Sequence, residues 1–126
     1  GKVGIGDAAP RSALHVVGNI TINASSNAPY IDFVEHGATD DPKARIAMDQ
    51  ISGTDGQLLF YTEDGGTLAE KFRIADAGQF GIGGANYGTD GQILTSTGAS
   101  SAPAWEDAPS SGIGKGVAMI LAGLTG

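Results

Sequence analysis

The chain has 126 residues, of which 21 are glycine, with a formal net charge of −7 and no cysteine. Its length allows one domain or a piece of a longer protein, and its seven scattered basic residues exclude the clustered positive charge that nucleic-acid binding needs. The absence of cysteine excludes disulfides and thiolate metal sites. Because so glycine-rich a chain buries little apolar area and has much backbone entropy to lose, we expect it to oligomerise.

The first predicted segment, residues 1–29, is rich in glycine and begins without methionine, so we interpret the sequence as a fragment of a longer chain. GKVGIG at residues 1–6 predicts a short strand, which the turn around Pro10 ends because proline cannot donate to a ladder. Residues 13–22 carry apolar side chains on both faces of a predicted strand. This pattern is typical of a strand that packs on two sides.

Residues 30–88 form the predicted body of the protein. Apolar and polar residues alternate in strands that start near residues 30, 44, 57 and 70, which predicts an antiparallel meander of half-buried strands. Turn clusters separate the strands at residues 37–42, 52–56 and 63–67. Their Asp-Gly and Gly-Gly pairs supply the positive φ that tight hairpins require.

Residues 89–108 form the third predicted segment, with one short strand at residues 92–95 and a tract of small residues that ends at Trp105. We expect a linker over residues 106–112. The last predicted segment, residues 109–126, consists of the end of this linker and an apolar tail. The run VAMILAGL at residues 117–124 is too short to span a bilayer, which takes about 20 residues. It is either an interchain core or the start of a longer segment.

The motif GKVGIG at residues 1–6 returns as GQFGIG at residues 78–83. Glycines two residues apart leave one face of a strand without side chains, so another backbone can approach closely there. We therefore expect these elements to lie against neighbouring chains. The candidate packing residues are Gly4, Ile5, Gly6, Phe80, Gly81, Ile82 and Gly83.

Together, the G-x-V/F-G-I-G elements, the strand series between them and the sequence GTDGQILTSTGASSAPAW at residues 88–105 resemble the tail-fibre and receptor-binding proteins of tailed bacteriophages. The resemblance implies an all-β, elongated, intertwined homotrimer made of short strands with glycine-rich turns. It also implies a structural and adhesive role in an extracellular virion, with other virion tail proteins and a host glycan or protein receptor as partners. Both a β-prism and an intertwined triple helix fit the pattern.

The motifs that could carry chemistry are incomplete. Neither glycine element completes a dinucleotide fingerprint, and Gly116 stands where a P-loop needs Ser or Thr after Lys115. The acidic turns do not match a calcium loop and are interpreted as turn formers. The sequence therefore predicts no catalytic residue, cofactor, metal site, nucleic-acid partner or membrane insertion.

The residues selected as candidates for receptor binding are Trp105 and Tyr87, because sugar rings stack on aromatic faces and aromatic residues are enriched in binding hot spots. The alternative is that Trp105 packs in a threefold interface.

Two other functions stay open at this point. One is a tailspike-type polysaccharide depolymerase, which needs a carboxylate pair flanking a sugar cleft. The other is a trimeric adhesin or spacer stalk with no receptor site.

Overall fold

A computed structural model describes residues 1–25, 28–37 and 41–109. None of these residues forms an α-helix, and hence none forms a helix that could cross a membrane. The predicted all-β class is confirmed. The strands of the described residues are β1 Val3–Ile5, β2 Leu14–Val16, β3 Tyr30–Glu35, β4 Asp41–Gln50, β5 Gly56–Asp64, β6 Thr67–Ile74, β7 Phe80–Ile82, β8 Gln92–Thr95 and β9 Ala104–Asp107.

Five strands build the central sheet in the order β3-β4-β5-β6-β7, and every pair in it is antiparallel. This is the predicted meander, extended by β7 from the second glycine element. Two bulges interrupt the register, one between β3 and β4 at Phe33 and Val34, and one between β5 and β6 at Phe60 and Tyr61. Elsewhere the register is continuous, so alternate residues of all five strands share a face.

The β5–β6 hairpin has the two-residue loop that its sequence predicts. Gly65 and Gly66 have φ values of 59° and 80°, and Asp64 pairs with Thr67 across the loop. Positive φ at both central residues defines a type I′ turn, whose twist matches that of the flanking strands.

The turn expected over residues 37–42 is only partly described, because residues 38–40 lie outside the described ranges. Asp41 and Pro42 already belong to β4, so the strand begins earlier than expected. Pro42 is tolerated there because it pairs with Val34 at the bulge, where the ladder is irregular.

The N-terminal strands differ from the expectation. β1 and β2 form a separate two-stranded parallel sheet, and β2 covers three residues instead of residues 13–22. Gly18, with φ of 135°, interrupts the extended backbone. Val17 and Ile20 are more than 60% exposed, so the predicted packing on two sides does not occur within the described residues.

The two glycine elements fold alike. Each forms a three-residue strand followed by a glycine of positive φ, 70° at Gly6 and 63° at Gly83. The carbonyl oxygen of Asp7 occupies the place of a side chain on Gly4, and that of Gly84 does the same for Gly81. The close backbone approach predicted from these glycines is therefore made within the chain.

The C-terminal part of the described chain is an antiparallel hairpin of β8 and β9, in which Leu94 pairs with Trp105. The predicted strand at residues 92–95 is confirmed. The linker predicted over residues 106–112 is wrong at its start, because Glu106 and Asp107 belong to β9 and pair with Ile93 and Gln92. The apolar tail at residues 117–124 lies outside the described residues.

We expect Gly66→Ala to lower the free energy of unfolding by about 1–2 kcal/mol, the cost of a left-handed backbone for a residue with a Cβ. Gly53→Ala is the matched control, because Gly53 is not among the glycines of positive φ and a Cβ there would meet no atom within 4 Å. Urea unfolding of both variants measures the difference. Equal losses would contradict the assigned turn.

Candidate functional site

One face of the central sheet is entirely apolar over its middle. The strand pairings place Ile46 opposite both Ile31 and Phe60, and Phe72 opposite both Phe60 and Ile82. We call this surface the apolar face. Its ten side chains are Ile31, Phe33, Ile46, Met48, Leu58, Phe60, Phe72, Ile74, Phe80 and Ile82.

Three aromatic rings connect the strands of the apolar face. The ring centroid of Phe72 lies 5.6 Å from that of Phe60 and 5.5 Å from that of Phe80, with tilted planes. Such offset contacts are favourable beyond the area that they bury. The aromatic row therefore joins β5, β6 and β7 across the apolar face.

The apolar face is uncovered in the described chain. Ile31, Phe33, Met48, Leu58 and Phe80 are between 37% and 55% exposed, and Leu59 and Ala75 are the only buried apolar residues of the described ranges. No strand outside the central sheet packs on the face within these ranges. Contiguous exposed apolar side chains of this kind are often found where proteins interact.

The opposite surface, called the polar face, carries charged side chains in pairs. Arg45 donates from Nε and Nη2 to the two carboxylate oxygens of Asp32, at 2.6 and 2.8 Å, and its guanidinium lies 3.7 Å from the ring centroid of Tyr30. These hydrogen bonds hold the pKa of Asp32 below its usual value. The charge of Arg45 is thus matched within the sheet.

A second group of hydrogen bonds crosses β4, β5 and β6. Arg73 donates to both carboxylate oxygens of Glu70 and, from Nη1, to Gln57 Oε1 at 3.0 Å. Gln57 Nε2 in turn donates to Asp49 at 3.0 Å. The Glu70 carboxylate, with a further contribution from the Tyr87 hydroxyl, raises the pKa of Arg73.

The two predicted recognition residues lie at the end of the sheet next to β7. Asn86 O accepts hydrogen bonds from Ile82 N and from Trp105 Nε1, each at 3.1 Å, so the loop after β7 connects the central sheet to the β8–β9 hairpin. Tyr87 is half-buried. It follows Asn86 directly, and the structure therefore brings Trp105 of β9 next to the loop that carries Tyr87.

The Trp105 side chain is half-buried and packs on backbone. A Cβ on Gly88 would lie 2.8 Å from Trp105 Cγ, and Gly88 has φ of 71°. One side of the indole ring is thus occupied by its own chain. Trp105 therefore packs within its own chain.

The predicted trimer-packing residues separate into two kinds. Phe80 and Ile82 lie on the apolar face, and Ile5 is 56% exposed on β1. Gly81 lies on the polar face, where Arg73 Cγ would be 2.6 Å from a Cβ. Gly4, Gly6 and Gly83 are required by turns of the chain itself.

The larger part of the apolar face was not selected from the sequence. Its members on β3 to β6 were identified as alternating residues, but alternation in one strand does not say which residues of the next strand share its face. That assignment needs the hairpin register and the two bulges, each of which shifts the pattern by one residue.

Among the described residues, no group of three or more His, Asp or Glu side chains is arranged to hold a metal ion. His15 is half-buried and its Nδ1 lies 2.5 Å from the Asp7 carboxylate, but this nitrogen makes no hydrogen bond among the described residues. Comparison of the chain with known protein families, with characterised proteins and with solved structures finds no match.

The packing of Trp105 on Gly88 predicts the effect of Gly88→Ala. A Cβ would collide with the indole ring, so we expect a shift in the fluorescence of Trp105, the only tryptophan of the chain. We also expect the free energy of unfolding to fall by more than the about 1–2 kcal/mol that backbone strain alone would cost. Gly91→Ala is the control, since Gly91 has φ of 85° but open space around it. Identical emission spectra for the two variants would contradict this packing.

Proposed function

We propose that this chain is a segment of an elongated homotrimeric tail fibre of a tailed bacteriophage, and that it attaches the virion to a glycan on the host cell surface. The proposal assigns it a structural and adhesive role without covalent chemistry. The uncovered apolar face is the observation that supports it, because a fibre of several copies of one chain buries such a face. The motifs quoted above supply the resemblance to tail-fibre and receptor-binding proteins.

The five exposed side chains of the apolar face stabilise an assembly that buries them. Burying the exposed half of one such side chain contributes about 1 kcal/mol of stabilisation, and the five together contribute about 5 kcal/mol per chain. That is of the same order as the net stability of a whole domain. A chain with two buried apolar residues in its described part needs this contribution to fold stably.

Copies of the same chain are the occupants that we propose for the apolar face. Closed symmetry covers the face in every copy at once. It can also shield the edge strands β3 and β7 from pairing with further chains. The sequence and the apolar face favour an oligomer, and the family resemblance supplies the threefold order. With the apolar faces turned inward, a trimer carries its charge of three times −7, or −21, on the outside, which favours solubility.

Attachment by such a fibre depends on multivalency. Three equivalent sites on one rigid stalk, and several stalks on one particle, give an avidity far above the affinity of a single site. Individual glycan contacts can therefore be weak and still hold a virion on a cell. Other virion tail proteins are the expected partners at the ends of the segment.

Light scattering coupled to size exclusion tests the assembly. We expect a mass of about 38 kDa, three times the 12.6 kDa chain. Ile31→Asp places a charge on the apolar face and should abolish the trimer. Ile51→Asp makes the same change at a residue that is 55% exposed in the β4–β5 loop, and it should leave the mass unchanged. A monodisperse 12.6 kDa wild type, or a dimer of two face-to-face sheets, would contradict the threefold proposal.

Adsorption tests the function. Fluorescently labelled wild-type trimer, incubated with a panel of bacterial cells, is expected to bind some strains and to be displaced by polysaccharide extracted from those strains. The Ile31→Asp chain is the control, because loss of multivalency should reduce its retention on cells. A trimer that binds no strain would favour a spacer, and release of oligosaccharide from the polysaccharide would favour a depolymerase.

A further inference from the structure

The polar face contains a hollow centred on Ala47. It is open to solvent and has a volume of about 410 Å³, which falls within the size range of small-molecule sites. The residues that line it come from β3, β4 and β5, three neighbouring strands of the central sheet, and from Ala28, two residues before β3. The side chains around Ala47 include Tyr30, Arg45, Asp49, Leu59 and Tyr61.

The strand register explains why the hollow is there. Ala47 pairs with Tyr30 on one side and with Leu59 on the other, so a methyl group stands between two large side chains. Arg45 and Asp49 flank Ala47 on the same face of β4, because side chains two residues apart share a face. The small side chain at the centre leaves space, and Leu59, 3% exposed, closes the floor.

The walls of the hollow combine aromatic surface with directional polar groups. Tyr30 is 51% exposed, with the Arg45 guanidinium fixed against its ring by Asp32. Burial raises the pKa of the half-buried Tyr61, with Glu70 and Asp49 adding to the effect, so its hydroxyl stays available as a donor. Gln57 holds Asp49 through Oδ2, which leaves Oδ1 as an acceptor.

We propose that this hollow is the glycan-binding site of the fibre and that it takes one neutral sugar residue. A sugar ring presents an apolar C–H face that packs on an aromatic ring, and hydroxyl groups that both donate and accept, which fits Tyr30, Tyr61 and Asp49. The inference rests on the proposed function, and it moves recognition from Trp105 and Tyr87 to the middle of the sheet.

The charge of the hollow selects against acidic sugars. Arg45 is neutralised by Asp32, and Asp49 adds a negative charge in a chain whose net charge is already −7. An anionic sugar would meet like charge without a free cation among these wall residues. The site also points outward in the proposed trimer, since it lies on the face opposite to the apolar one, and each trimer presents three of them.

The test uses the full chain labelled with ¹⁵N, and the probes are the methyl glycosides of glucose, galactose, mannose and N-acetylglucosamine, with methyl glucuronide as the acidic probe. At least one neutral glycoside should shift the amide resonances of Ala47, Leu59 and Tyr61, and methyl glucuronide should shift them less. Ala47→Leu fills the hollow and should weaken binding of that glycoside at least about tenfold. Ala77→Leu, the same change at an exposed turn residue outside the hollow, should bind as wild type does.

Light scattering on each variant separates loss of the site from loss of the assembly. An Ala47→Leu trimer of normal mass that no longer binds the glycoside supports the proposal. The proposal is overturned if no probe shifts the three resonances, if the shifts lie at Tyr87 and Trp105, or if trimeric Ala47→Leu binds as tightly as wild type. If the wild type is then still a trimer that adsorbs to cells, only the assignment of the site is wrong and the proposed function stands. If the wild type is monomeric and does not adsorb, the proposed function itself is wrong.

Discussion

Burial of the apolar face is the requirement on which the other features of this structure depend. A single sheet of five strands has two faces, and here ten apolar side chains occupy the middle of one of them while charged pairs occupy the other. Water is excluded from an apolar surface only when something packs on it. The described residues supply no second layer of strands on this face, and this is why we propose that copies of the same chain cover it.

The reason to expect an oligomer therefore differs from the one that the glycines suggested. Gly4 and Gly81 accept a close backbone approach, but the approaching carbonyls belong to Asp7 and Gly84 of the same chain. The two copies of the motif are equivalent local turns. The apolar side chains of β3 to β7, in contrast, are exposed because no layer of the described chain covers them. They are the stronger reason to expect association.

Residue type alone also does not separate residues that could bind a ligand from residues that pack within the fold. Trp105 has the chemistry of a sugar platform, yet its Nε1 is bonded to Asn86 O and its ring lies on Gly88. The hollow around Ala47 has no conspicuous residue at its centre. It exists because an alanine stands opposite a tyrosine and a leucine, and its walls are ordered by hydrogen bonds from Arg45 and Gln57.

The amino-acid sequence by itself determined the strand content and the hairpins of the body, because alternation of polarity and paired glycines act over a few neighbouring residues. It placed the starts of β3 to β6 within about three residues of their positions in the sheet. It was wrong where the structure depends on distant residues. The strand expected beyond Val17 has no layer to pack on among the described residues, and Glu106 and Asp107 are extended because they pair with β8.

Only the tertiary structure decided which alternating residues form one face. The bulges at Phe33–Val34 and Phe60–Tyr61 each change the register by one residue, and a change of one residue moves a side chain to the opposite side of the sheet. The same register brings Tyr30, Ala47 and Leu59 side by side from three separate strands. Contacts between residues that are distant along the chain created the apolar face and the hollow, and no local pattern contains them.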